Sequence, residues 1–365
     1  MTLHFYFARR FAISFLILTI VLFSLVALVD LVDQARDFGD LGVSFGRIVG
    51  LTLLKAPETV NEILPLIMML ATIVLFVGLA RSSELVATRA AGRSGLRALL
   101  APVAVALAIG VLAVTTLNPI VAGTSRYHSE LAESYWTGGA SSLSISGEGL
   151  WLRQGGPEGQ TVIRAWQSNA DASVLYDVTF LSYAPDGGPV RRIAADSAAL
   201  ENGGWSLRGV KLWPLDPSAN AEANSELHDE YVISTTLTLD RIRDSLGRPS
   251  AISIWALPEF ITQLDQAGFS SRQHRVWFQS ELARPLFLMS MVLVASAFTM
   301  RHTRFGGTGI AVLAAVLLGF GLYFIRSFAQ ILGENGQIPI ALAAWAPPVA
   351  SVMLALGLLL HAEDG

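Results

Sequence analysis

Glu58 and Glu62 stand four residues apart, a spacing that puts two carboxylates on one face of a helix. They serve either as a polar lining or contact to another helix, or as interfacial carboxylates in water. Glu281 and Arg284, three apart, can pair with each other. Arg36 and Arg326 lie near the ends of apolar runs. A guanidinium there can meet a phosphate through paired hydrogen bonds, or simply reach the headgroup layer as an ordinary interfacial cation. Other chemistry is hard to find. There is no G-x-x-x-x-G-K-[ST], hence no P-loop, and no H-E-x-x-H. The histidines are scattered without ligand spacing, and no nucleophile-elbow pattern surrounds any serine. Gly306-Gly307-Thr308-Gly309 is Gly-rich but opens an apolar run, where it reads as a turn. The absence of cysteine excludes disulfides, thiolate nucleophiles and Cys-based metal sites. Acids are nearly missing from the centres of the apolar runs, where a proton-coupled carrier would place one.

What must position these residues is a set of membrane helices. Of 365 residues 52% are hydrophobic and 15% charged, against about 25% charged in an ordinary soluble domain. The apolar excess falls in blocks toward both ends, with a polar stretch between, as in a polytopic membrane protein carrying one inserted domain. Arg9 and Arg10 precede the run Phe11 to Val29, long enough for an uncleaved first span and without a cleavage site after it. Val43 to Lys55 reads as amphipathic and interfacial; Pro57 and Pro65 flank E-T-V-N-E-I-L, and Pro65 to Ala80 continues the second membrane helix, where proline is tolerated when neighbours satisfy the freed carbonyl. The third is Leu96 to Leu117, broken by Asn118-Pro119 and followed by a polar helical extension, Thr124 to Tyr135. Leu257 to Gly268 reads as a short amphipathic helix leading to spans near Phe278–Met300, Gly309–Phe328 and Ile340–His361.

The middle of the chain, 136–250, changes period. Val174, Tyr176, Val178 and Phe180 alternate at period two, and six or more such segments recur between Gly, Pro and Asp turns. They predict an all-β sandwich, jelly roll or partly open barrel. Residues 1–135 therefore form one membrane part and 251–365 the other. Arg81, Arg89, Arg93 and Arg97 lie between spans two and three, and Arg301 and Arg304 between four and five. The loop from Ala329 to Pro339 has no Lys or Arg. Under the positive-inside rule both termini and the 80–97 loop are cytoplasmic and the β domain is outside. A net charge of −4 with no basic run argues against nucleic-acid binding.

Three segments carry a resemblance. S-E-L-V-A-T-R-A-A-G at Ser83 to Gly92, R-P-L at Arg284 to Leu286 and I-P-I-A-L-A-A-W-A-P-P at Ile338 to Pro348 resemble the LptF/LptG permease family of the lipopolysaccharide-export ABC transporter. V-D-Q at Val32 to Gln34 and G-L-W at Gly149 to Trp151 are closer to its LptG branch. The resemblance spans nearly the whole chain. It implies a bacterial inner-membrane protein of six transmembrane helices with an inserted periplasmic, jellyroll-like β domain. Residues of about 80–94 would be the cytoplasmic coupling helix, with Ser83, Glu84, Leu85, Arg89 and Gly92 docking the ATPase and Glu84 its main polar contact. The implied partners are an LptB-like ATPase dimer, an LptF-like second permease, a single-span LptC-like bridge protein and lipopolysaccharide. The chain would bind no cofactor of its own, because ATP and magnesium belong to the ATPase.

Lipid-binding candidates are Arg36 and Arg326 for phosphates, and Trp151, Trp166, Tyr176 and Phe180 on the apolar inner face of the β domain, where they either line an acyl path or fill a closed core. Where relatives carry lysines near V-D-Q, this chain has Asp30, Arg36 and Asp37, so Arg36 alone keeps positive charge there. Two other readings stay open. A membrane-anchored scaffold without translocation would tolerate charge reversal at Glu84. An intramembrane enzyme would need paired catalytic groups at one depth, and no convincing set exists.

Overall fold

The computed structural model describes the chain apart from residues 1, 40, 91–94, 138–141, 147–148, 157–158, 170–171, 185–187, 202, 216–219, 236–237, 239–241, 243–247, 301–307 and 365; side chains at 2, 86, 89, 133, 136–137, 142–146, 149, 155–156 and 362–364 are also outside the description. The described residues form two compact units, one of helices (1–132, 250–255 and 272–365) and one built on a sheet (133–249 and 256–271).

In the helical unit, α1 (Thr2–Gly39) and α2 (Phe45–Arg81) are long single helices. The amphipathic segment and the second membrane helix are one element, and neither Pro57 nor Pro65 ends it. A proline removes one backbone donor and crowds the preceding turn, but in an apolar setting an interrupted helix would leave more groups unbonded than a helix that absorbs one gap. The short α3 (Glu84–Ala90) follows, then α4 (Gly95–Leu112).

The break expected at Asn118-Pro119 is also absent. A π-turn, Ala113–Leu117, runs directly into α5 (Asn118–Thr137). Pro119 lacks the N–H that would bond to the carbonyl four residues back, at Thr115. That carbonyl instead accepts the indole Nε1–H of Trp255 at 3.3 Å. The wider turn thus accommodates the proline while the helix continues.

Five further helices follow in sequence. α6 (Leu257–Gln266) belongs to the sheet unit, whereas α7 (Arg272–Leu282), α8 (Arg284–Thr299), α9 (Thr308–Glu334) and α10 (Ile340–Asp364) belong to the helical one. Among the described residues five helices are long and apolar enough to cross a membrane, and six if α7 and α8, bent by 49°, count as one broken span. The core lies between α2 and α8, where Met68, Met69, Phe76, Phe287, Met291 and Val292 are fully buried. α4 reaches α8 closely because position 110 is glycine: a Cβ there would stand 2.6 Å from Pro285 Cα.

The sheet has seven antiparallel strands in sequential order: β1 (Ser142–Ser146), β2 (Gly149–Gly156), β3 (Gly159–Ser168), β4 (Val174–Tyr183), β5 (Pro189–Glu201), β6 (Gly204–Pro214) and β7 (Glu226–Ser234). The inserted all-β domain is present, and its strands run as a meander rather than with the crossed order of a strict jelly roll. One face is buried by Leu152, Ile163, Phe180, Ile193 and Trp205. Leu264 of α6, with Ala267 and Phe269 after it, joins this core, and Ala267 accepts a hydrogen bond from the Ser168 N–H at 2.8 Å.

Alternation does not persist along the strands. Buried neighbours Ala165 and Ser168, Leu175 and Val178, Ala195 and Ala198, and Leu207 and Val210 are three apart, so each strand spends two successive residues outside. The ladders skip a pair at this level on every interface from β3 to β7. Asp177 (φ 51°) and Gly209 (φ 65°) adopt the left-handed conformation needed for the phase slip. A Cβ at 209 would meet Asp196 Oδ2 at 2.1 Å. Gly209→Ala is expected to destabilise this unit by about 1–3 kcal/mol, read as a lowered melting transition of the full chain.

Candidate functional site

The segment between α2 and α4 is the most organised charged feature at the Arg-rich side of the chain. α2 ends at Arg81, Ser82 caps it, and Ser83 turns the chain with φ 59°. This brings Glu84, first residue of α3, back toward α1. Arg10 Nη1 donates to Glu84 Oε1 at 2.8 Å, Ser82 Oγ donates to the same oxygen at 2.7 Å, and the Tyr6 hydroxyl donates to Oε2 at 2.9 Å. Arg10 also donates to the Tyr6 hydroxyl at 2.7 Å and lies 5.7 Å from the centre of its ring. Burial pushes the Glu84 carboxyl up, but the bonds from Arg10, Ser82 and Tyr6 outweigh it and hold it below the usual carboxylate range. Leu85 is buried in the helical core. Ala87 and Ala90 are exposed, the Arg89 side chain is not among those described, and Gly92 lies outside the described residues.

Two further polar clusters lie within the helical unit. Lys55 Nζ pairs with Asp30 Oδ1 at 2.9 Å, and Thr59 Oγ1 donates to Asp30 Oδ2 at 3.1 Å. Ser125 of α5 donates to Glu58 Oε2 at 2.9 Å, so Glu58 contacts another helix, while Glu62 is exposed. In the second cluster Glu281 is fully buried and lies 2.8 Å from Arg284 Nη2. Arg284 Nη1 donates to Asn61 Oδ1. Asn118 Nδ2 donates to Glu281 Oε2 at 3.3 Å, and Asn118 Oδ1 accepts the Ile254 backbone N–H at 2.8 Å. One ion pair thus ties α2, α5, α7, α8 and the segment before α6. The pairing of Glu281 with Arg284 was readable from their spacing; Asn61 and Asn118, distant in sequence, gave no such signal.

The lipid candidates fall in different places. Arg36 is exposed in the last turn of α1. Arg326 is half-buried, its guanidinium 4.9 Å from the centre of the Phe287 ring. Trp151, Trp166 and Tyr176 are exposed on the outside of the sheet, not on its inner face. For Tyr176 the reason is the phase slip at Asp177, which puts it outside while Val178 and Phe180 point in. Trp151 sits between the inward-facing Leu150 and Leu152, and Arg164 stacks 5.5 Å from its ring. Phe180 alone of the four faces the interior, edge-to-face with Trp205 at 6.2 Å. Among the described residues no three His, Asp or Glu side chains converge to hold a metal ion.

A bundle of membrane-length helices, an inserted antiparallel sheet and a charged segment fixed at a helix turn define a multi-pass membrane protein. A model of the lipopolysaccharide export system permease family LptF/LptG matches residues 5–361. The chain belongs to that family. It is similar to the lipopolysaccharide export system permease protein LptG of Haemophilus influenzae, 23% identical over 348 residues covering 94% of both chains. The LptG of Escherichia coli K12 is 23% identical over 344 residues, covering 93% of this chain and 92% of that one.

Proposed function

We propose that this chain is the LptG-like permease subunit of an ABC transporter that extracts lipopolysaccharide from the outer leaflet of the inner membrane and passes it to a periplasmic bridge. An LptB-like ATPase dimer, which holds ATP and magnesium, docks on α3. An LptF-like permease pairs with this chain, and an LptC-like single-span protein receives the lipid. Both termini are cytoplasmic and the β domain is periplasmic, in keeping with Arg9, Arg10, Arg81 and Arg97 clustering at one set of helix ends. Closure of the ATPase moves α3, and the apolar helices transmit that movement to the lipid cavity.

The observation that carries this reading is α3 itself: a short helix with small exposed residues, anchored through Glu84 and Leu85, in a chain of this family. Arg36 is the better phosphate contact because it is exposed, whereas Arg326 is occupied by Phe287. Phe180 and Trp205 fill a closed interior, so an acyl path along the inner face requires the two to part.

Ala87 is exposed and small, which makes it a probe of docking. Ala87→Trp is expected to reduce co-purification of the ATPase about tenfold or more, because one large side chain in a packed interface costs about 1–3 kcal/mol. Undiminished ATPase capture and lipid export by Ala87→Trp would remove α3 as the docking element and favour the scaffold reading.

A further inference from the structure

We infer that Tyr6 and Arg10 are positioning residues for the coupling helix, holding α3 in place through Glu84. The inference rests on the reading of α3 as the element that meets the ATPase.

Three donors from two other parts of the chain converge on one carboxylate: Arg10 and Ser82 on Oε1, Tyr6 on Oε2. A carboxylate has about four lone-pair sites, so most of its capacity is spent inside the chain. Arg10 and Tyr6 are themselves bonded and stacked, which fixes the guanidinium before it reaches Glu84. The bond from Arg10 is charge-assisted, the strong class of hydrogen bond.

The need for such an anchor follows from length. α3 has seven residues, and an isolated helix shorter than about 12 residues is marginal in water. Among the described side chains Leu85 packs into the core, while the Thr88 hydroxyl donates to the Glu84 carbonyl at 2.7 Å within the same helix. Leu85 fixes a point; the Glu84 bonds fix the direction of the helix start. A push on α3 is therefore delivered to two elements at once, to α2 through the Ser82–Ser83 turn and to α1 through Arg10 and Tyr6.

The chain has no cysteine, so a pair of introduced cysteines can be labelled uniquely. Nitroxides at Arg9→Cys and Ala90→Cys, both exposed positions, report the distance between α1 and α3 in the full-length protein by pulsed electron resonance, with no ATPase present. The unaltered network is expected to give a narrow distribution. Arg10→Gln and Glu84→Gln should each broaden it, and the swap Arg10→Glu with Glu84→Arg should narrow it again. Arg10→Lys and Tyr6→Phe, which keep part of the network, should fall between. ATPase capture should drop about tenfold in Arg10→Gln, as for loss of one charge-assisted hydrogen bond, and recover in the swap. A distribution as narrow in Arg10→Gln as in the parent overturns the inference, as does a swap no narrower than the single variants. Loss of capture in Glu84→Gln with an unbroadened distance would assign Glu84 to direct ATPase contact instead. Failure of the parent chain to capture the ATPase would count against the docking reading while leaving the distance result standing.

Discussion

Arg284→Leu should destabilise the helical unit by about 3–5 kcal/mol, because it leaves a buried carboxylate without its cation. Glu281 is fully buried, and among the described residues Arg284 is its ion-pair partner, at 2.8 Å. The pair also satisfies Asn61 and Asn118, so the loss spreads to α2 and α5. The double variant Glu281→Leu with Arg284→Leu should be milder. It removes both charges together and leaves only the two amides short of partners, at about 1–3 kcal/mol for each buried group left unbonded. Thermal unfolding of the purified full-length chain measures both. A double variant as unstable as the sum of its singles would mean that the two side chains stabilise independently, and the ion pair would not be the tie between these helices.

In the sheet unit the largest effect is expected at Trp205. It is fully buried and packs edge-to-face on Phe180. Trp205→Ala should cost about 3–5 kcal/mol through lost burial and the cavity left behind. Trp205→Phe should behave differently. The Trp205 indole Nε1 is buried with no hydrogen-bond partner among the described residues, so phenylalanine discards an unsatisfied donor while keeping most of the apolar contact. Its cost is expected to stay below about 1.5 kcal/mol. The two melting transitions, compared in the full chain, separate packing from polarity at this position. If Trp205→Phe were as damaging as Trp205→Ala, the indole N–H would have to be bonded in solution.

Much of this fold was legible in the chain because its signals are local. Apolar runs of membrane length, arginines between them and the period-two stretch near Val174 each depend on neighbours in sequence. The misplaced features are those where tertiary surroundings overrode a local rule. Pro119 reads as a break, yet it lies inside continuous helix, with the Thr115 carbonyl finding Trp255 as its substitute donor. Tyr176 reads as inward by parity, and the left-handed Asp177 reverses it. At the candidate site, Glu84 was visible as a charged residue in a helix-prone segment. Its partners Arg10 and Tyr6 lie 74 and 78 residues earlier, and nothing in their own surroundings points forward. Arg10 read only as a basic residue before the first span.

The unbroken course of α2 sets how movement at one end must appear at the other. At about 1.5 Å per residue the helix is about 55 Å long, and Glu58 lies about 35 Å along its axis from Arg81. A rod of this kind behaves as a lever: a tilt of about 10° about its middle carries each tip through a stroke of about 5 Å, close to one helical turn. Pro57 sits on the same arm as Lys55, Glu58 and Asn61, and Pro65 lies about 3 Å past the middle. Flexing of the lever therefore falls on the far arm and near the pivot, and the stretch from there to α3 moves as a stiff handle.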